Sequence, residues 1–273
     1  MNINSHIYSN KTATIRQEYV AKSPFPYLEV SDFLVPESIE QVHTDFPSVE
    51  DSFWTHYIHY NEKKHGLTKW EHFPNSIKEV ILELRQPPFI SWIEGITGYQ
   101  NLFADPDLEG SGLHQTKTGG FLNIHADFSV HPKHKTWQRR VNVLLFLNKD
   151  WNPDWGGSLE LWNADMSKCE VKITPDHNKL VVFSTGKSTF HGYPTPITCP
   201  DYIARKSIAL YYYTEEASPI STSTNYQARP IDGAKKWLIY GDTLVISLYT
   251  KIKGIFGLND DFASSILRFF NKK

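Results

Sequence analysis

Cysteine is nearly absent from this chain. Cys169 and Cys199 are the only two in 273 residues, and neither sits in a Cys-x-x-Cys pair. Two isolated thiols build no disulfide framework, so they are expected to be structural and the setting reducing and cytoplasmic. Long apolar runs are missing as well. No stretch approaches the roughly 18 consecutive apolar residues of a membrane span, and the opening MNINSHIYSNKTATIRQEYV lacks the apolar centre of a signal peptide. An excess of charge of one sign is also missing: 28 Lys and Arg against 30 Asp and Glu give a formal net charge of -2. No global field attracts nucleic acid, so none is expected as a partner, and any recognition by charge has to be local. Internal repeats and low-complexity tracts are absent too.

What is present suits a globular protein with a real core: 40% of residues are hydrophobic and 14% aromatic, against 21% charged. Residues 1–23 are polar and expected to be loosely held. PYLEVSDFLVP reads as a short strand, and Pro36 opens a helix with Ile39, Val42 and Phe46 on one side. NSIKEVILELRQ is helical, with Asn75 as N-cap and Ile77, Val80, Ile81 and Leu84 on one face. PFISWIEGITG is a further helix, closed by Gly98.

After about residue 100 the texture changes. FLNIHADF, RRVNVLLFLN, GSLELW, CEVKIT, KLVVFS, FHGYP and KSIALYYYT have strand length and β-rich composition. Serial short strands without helices between them predict an antiparallel sandwich or barrel. The chain thus divides into a support region at 1–99, a β core at 100–215 and a helical extension at 216–273, all within one compact domain. In the extension, TLVISLYTKIKGIFGL and DDFASSILRFF carry apolar stripes at helical spacing. They suit packing on the barrel or on a second copy in a homodimer, with contact to a membrane surface as the alternative.

On a strand, residues i and i+2 share a face. His125 and Asp127 in FLNIHADF therefore project together, and His191 in FHGYP, 64 residues beyond Asp127, can return a second imidazole. Two histidines and a carboxylate with open positions is the facial donor set of non-haem Fe(II) oxygenases. Arg205 and Ser207 share one face of the strand RKSIALYYYT and Lys206 the other, while paired glycines precede SLELW as if for a close turn.

HAD, LNKDWNPDWGGSLELW, FHGYP and RKSIALYYYT occur in the order found in Fe(II)- and 2-oxoglutarate-dependent dioxygenases, and the chain resembles the prolyl-4-hydroxylase-like branch over about residues 100–214. The resemblance implies a mainly β fold with flanking helices around a double-stranded β-helix (jelly-roll, cupin-like) core. It implies Fe(II) on His125, Asp127 and His191, 2-oxoglutarate and O₂ as cosubstrates, and ascorbate as a reductant. It also implies that Arg205 binds the distal carboxylate of 2-oxoglutarate, a task for which a planar guanidinium fork is suited. Ser207 is placed to donate a further hydrogen bond. The carboxylate of Asp127 disfavours halogenation, since no vacancy remains for a halide.

The pattern also departs from the family. Where related hydroxylases carry a tyrosine on the LNKDW strand, this chain has Phe146; Asn142 shares that face and Gln115 stands ten residues before His125, so both join the candidate cosubstrate contacts. The interval from His191 to Arg205 is longer than usual. Substrate candidates come from HPKHKTWQRR, which carries Lys133, Lys135, Trp137 and Arg139 without an acid and so invites an anionic group. The other histidines, including His59, His114 and His131, are read as surface residues.

The activity expected is hydroxylation of a small-molecule, glycan-related or other biosynthetic substrate, with release of succinate and CO₂. The alternatives are a prolyl or peptidyl hydroxylase acting on a protein, a non-catalytic jelly-roll binding protein, and a zinc hydrolase.

Overall fold

Local sequence accounts for most of the helices in the computed structural model, which describes residues 1–8 and 12–245. A short 3-10 turn (Ser5–Tyr8) precedes α1 (Thr12–Ala21) and β1 (Tyr27–Val30). Helix α2 (Pro36–Asp45) begins with its proline, whose missing N–H costs nothing in a first turn. The hairpin of β2 (Thr55–His59) and β3 (Glu62–Leu67) follows. Helix α3 (Asn75–Leu84) buries Ile77, Val80, Ile81 and Leu84. Its N-cap is Pro74, so Asn75 is the first helical residue and not the cap expected from sequence. Helix α4 (Pro87–Thr97) ends at Gly98, whose φ of 84° supplies the left-handed cap.

The strands then run from β4 (Phe103–Ala104), β5 (Gly112–Thr116) and β6 (Phe121–Ala126) to β7 (Trp137–Phe146) and β8 (Leu159–Trp162). They continue with β9 (Cys169–Ile173), β10 (Lys179–Ser184), β11 (Phe190–Tyr193), β12 (Arg205–Glu215) and β13 (Asn225–Tyr226). Residues 236–245 are helical.

These strands form one curled sheet, paired throughout antiparallel, in the order β1-β10-β7-β12-β5-β3-β6-β11-β8-β9. This is the double-stranded β-helix architecture, mainly β with flanking helices. One half is β1-β10-β7-β12-β5 and the other is β6-β11-β8-β9. Strand β3 joins them, pairing with β5 through His65–Leu67 and with β6 through Glu62 and Lys63.

Alternation along β7 assigns the faces. Val141, Val143 and Leu145 pack outward with Leu180, Val182, Ile208, Leu210 and Tyr212 against the helices. Asn142, Leu144 and Phe146 face inward, opposite Tyr211, Ala209 and Ser207 of β12. Burial of both faces explains why RRVNVLLFLN reads as a near-continuous apolar run. Truncating a fully buried Leu or Ile of this layer costs about 2–5 kcal/mol.

Several elements were not foreseen. Residues 12–21 form α1, which docks on α4 through a largely polar sequence whose only buried side chain is Tyr19. The β2–β3 hairpin, β4, β5 and β13 were also unread. Strands β1 to β3 come from the region assigned to support, yet they belong to the same sheet as the core. The extension is not helical throughout, because β13 adds a strand to β6. Its apolar stretches from residue 246 onward, and with them the dimer and membrane-surface expectations, lie outside the described residues. Among the described residues no helix is long and apolar enough to cross a membrane.

Candidate active site

His125 on β6 and His191 on β11 are direct cross-strand partners, and their ring centroids lie 4.6 Å apart. Asp127 follows β6 and points to the same side, with Oδ1 3.6 Å from His125 Nε2 and Oδ2 3.5 Å from His191 Nε2. One ligand atom from each of the three lies within 4.8 Å of the others, which is the spacing of donors around one metal ion. Gly192 makes the approach possible: a Cβ there would lie 2.7 Å from the carbonyl oxygen of Leu122 and 2.8 Å from that of Asn123.

Backbone acceptors set the tautomer of both rings. His125 Nδ1 is 2.9 Å from the carbonyl of Asn123, and His191 Nδ1 is 3.0 Å from that of Thr189. A carbonyl only accepts, so each Nδ1 carries the proton and each Nε2 keeps its lone pair for a metal. Burial, only partly offset by Asp127, lowers the His191 pKa to about 4 and keeps that ring neutral.

Asp127 is held from behind. Asn142 Nδ2 donates to its Oδ2 at 2.7 Å, and the Arg139 guanidinium stands 3.1 Å from the same oxygen. Arg139 is 2% exposed, donates through Nε to Asn142 Oδ1, and lies against the rings of Tyr211 and Phe128. Burial alone would raise the Asp127 pKa, but the Arg139 guanidinium holds the carboxyl well below its ordinary range. Two imidazole Nε2 donors and one ionised carboxylate fit Fe(II) by donor type.

Along the inner face of β12, Tyr211 supports Arg139, and Ala209 and Ser207 lead back to Arg205. Arg205 is 4% exposed, and its guanidinium lies 4.2 Å from the ring centroid of Tyr193 and 4.8 Å from that of Phe146. Its Nε donates to the carbonyl of Gly157 at 2.7 Å. Gly157 has φ +74°, and a Cβ there would sit 3.2 Å from Arg205 Cδ, so the paired glycines make the close turn that seats the arginine. Among the described residues no carboxylate pairs with Arg205, and burial lowers its pKa. A buried guanidinium without a carboxylate is the complement of an anionic ligand.

Some sequence-chosen residues fall elsewhere. Gln115 pairs in register with Lys206, and its amide donates to the carbonyl of Pro47 at 3.4 Å. Strand alternation therefore turns it away from Arg205, and His114 and Thr116 occupy the inward face instead. Asn142 faces inward but serves Asp127. The basic loop does not stay free. Lys133 meets Glu109 at 3.1 Å and Asp107 at 3.6 Å, and Lys135 donates to the carbonyl of Pro132. Trp137 stacks on His134 with centroids 3.9 Å apart, and Arg139 is buried at Asp127. Acids distant in sequence thus pair with Lys133, while Lys135 meets only a backbone carbonyl among the described residues.

Sequence reasoning missed a second polar group near the His-Asp-His cluster. Lys64 pairs with Glu62 at 3.1 Å, Glu62 with His59 at 2.8 Å, and His59 with Asp242 at 2.8 Å. The Tyr226 ring centroid lies 5.3 Å from that of His125 and 6.1 Å from that of His59. In EKKHGL, period-two alternation sends Glu62 and Lys64 to one side, but without apolar alternation nothing marked it as a strand. His131 was also misread: it is buried and 3.2 Å from the buried Asp105.

Burial alone would lower the His59 pKa, but its bonds to Asp242 and Glu62 raise it from 6.5 to about 9. A raised folded-state pKa contributes stability that is complete below the unfolded value and lost as pH climbs through the folded one. Melting temperature should therefore fall by several degrees between pH 6.5 and pH 9.5, and His59→Asn should flatten that slope. An equal slope in His59→Asn would assign the titration to another group.

A family model described as the 2OG-Fe(II) oxygenase superfamily matches residues 111–213. No curated protein sequence matches the chain significantly. The fold is similar to a Pseudomonas putida prolyl-4-hydroxylase, at TM-score 0.51 and 14% identity over 76% of this chain and 99% of that one. It is similar also to a prolyl hydroxylase from Trichoplax adhaerens, solved with a peptide fragment of hypoxia inducible factor, at TM-score 0.51 and 18% identity over 76% of this chain and 90% of that one. Residues 111–213, which carry the His-Asp-His cluster and Arg205, thus match the 2OG-Fe(II) oxygenase superfamily, and the chain's fold is similar to that of prolyl-4-hydroxylases.

Proposed function

We propose that His125, Asp127 and His191 hold Fe(II), that Arg205 and Ser207 receive the distal carboxylate of 2-oxoglutarate, and that the enzyme hydroxylates a small-molecule or glycan-related substrate. The observation that carries this reading is the pairing, along one inner sheet face, of a three-donor cluster with a buried arginine that has no carboxylate partner among the described residues. When bound, the iron supplies O₂ activation coupled to decarboxylation of 2-oxoglutarate to succinate and CO₂.

The chain's own residues do the rest. The carbonyls of Asn123 and Thr189 fix the two imidazoles, while Arg139 and Asn142 keep Asp127 ionised and oriented. Tyr193 and Phe146 flank the Arg205 guanidinium and keep water from it, which strengthens its hold on a carboxylate. Lys64, Glu62, His59 and Asp242 neutralise one another, and Arg139 is paired with Asp127. With those charges internally matched, the substrate end that reaches the iron is read as uncharged and hydroxyl-bearing.

The test is succinate formation with Fe(II), 2-oxoglutarate, O₂ and ascorbate, with and without panels of neutral sugars, sugar phosphates and proline-containing peptides. Neutral sugars should stimulate turnover above the substrate-free rate. Stimulation by the peptides alone would move the reading to a peptidyl hydroxylase. Absence of succinate under every condition would sink turnover itself.

A further inference from the structure

Residues 225–242 lie beyond the segment that matches the superfamily, yet they reach the metal centre by two routes. The first is a strand pairing: Tyr226 and Asn225 of β13 pair with His125 and Ala126 of β6, and the amide of Gln227 donates to the carbonyl of Ile124 at 2.8 Å. The strand that carries a candidate ligand therefore has this segment on one edge and β11, with His191, on the other.

The second route is a chain of hydrogen bonds. Asp242 Oδ2 accepts from Asn61 Nδ2 at 2.7 Å and from the Asn61 amide at 3.2 Å. Asn61, fully buried, also donates to the carbonyl of Ile239. It then grips Asn123 twice: Asn123 Nδ2 donates to Asn61 Oδ1 at 3.0 Å, and the Asn123 amide to the Asn61 carbonyl at 2.8 Å. The carbonyl of that same Asn123 accepts the proton of His125 Nδ1. Every polar atom of the Asn61 side chain is thus used, with Asp242 on one side and the backbone that orients His125 on the other.

We propose that Asp242 and Asn61 are positioning residues for His125, so that docking of residues 225–242 and metal binding strengthen each other. The proposal rests on His125, Asp127 and His191 being the metal ligands. Removing the Asp242 carboxylate strands two donors of a buried asparagine, which must then shift to find partners, and Asn123 shifts with it. Groups that orient a ligand from outside the coordination sphere typically change metal affinity 10- to 100-fold. Because this relay is one step longer, an effect near tenfold is expected. Coupling of this kind is reciprocal, so the metal must also hold the segment down.

The experiment uses the full-length apo protein and Co(II) alone. Asp242→Ala should weaken Co(II) binding roughly tenfold, and Asp242→Asn, which keeps an acceptor for Asn61, should restore most of the affinity. In the wild type, Co(II) should slow amide exchange at Tyr226 and Gln227. A lower melting temperature in Asp242→Ala with unchanged Co(II) affinity would mean a merely structural role and would overturn the proposal, as would exchange in this segment that ignores the metal. His191→Ala is run beside it. If that variant keeps wild-type Co(II) affinity, the ligand assignment itself fails; if it loses Co(II) while Asp242→Ala does not, only the positioning role fails.

Discussion

Asp127→Ala should form essentially no succinate from 2-oxoglutarate and should also be the least stable of the three ligand variants. Two effects combine in this one residue. Without the carboxylate, two imidazoles remain, and a pair of nitrogen donors does not hold Fe(II) in a facial site. The same deletion takes the carboxylate partner from Arg139, which is 2% exposed and has no other acid within ion-pair distance among the described residues. Breaking a buried pair by removing one member typically costs about 3–5 kcal/mol, because the remaining charge stays buried and unmatched. His125→Ala and His191→Ala should lose activity to the same degree without that second penalty. Denaturant titration beside the succinate assay separates the two effects. A well-folded Asp127→Ala protein with full turnover would overturn the metal assignment, and one as stable as His191→Ala would show that Arg139 gains little from its partner.

The sequence carried the parts of this site that depend on local periodicity. Strand alternation put His125 with Asp127, Arg205 with Ser207, and Asn142 with Phe146, and the structure keeps each pair on one face. What sequence could not supply is register between distant strands. His191 meets His125 because β11 pairs with β6, and Gly192 permits that close approach; no local signal states it. Gln115 failed for the same reason: counting back ten residues placed it at the site, but Arg205 pairs with Thr116, and a shift of one position turns Gln115 to the other face. Lys133 failed because Asp107 and Glu109, which neutralise it, arrive from another loop. The β2–β3 hairpin escaped notice because its inward side chains are charged and matched to one another, so it shows none of the apolar alternation by which strands are recognised.

Arg205 carries the second large expectation, and its sign differs between binding and stability. Arg205→Met should raise the apparent KM for 2-oxoglutarate roughly 30- to 150-fold, the loss expected when about 2–3 kcal/mol of charge-assisted hydrogen bonding to a carboxylate disappears. The same change should leave the ligand-free protein as stable as before or more stable. Arg205 is 4% exposed, holds among the described residues a single hydrogen bond from Nε to Gly157, and faces the rings of Tyr193 and Phe146. A flexible apolar side chain fills that slot without the cost of burying a charge that lacks a counter-ion. In thermal melts, added 2-oxoglutarate should therefore raise the melting temperature of the wild type and not that of the variant, because a ligand stabilises only the form it binds. Lys206→Ala provides the control for register. Its ammonium lies 5.2 Å from the Phe46 ring centroid on the outer face, so the 2-oxoglutarate KM should not change. If Lys206→Ala were the more damaged variant, β12 would be facing the other way and Arg205 would not be the residue that receives the cosubstrate.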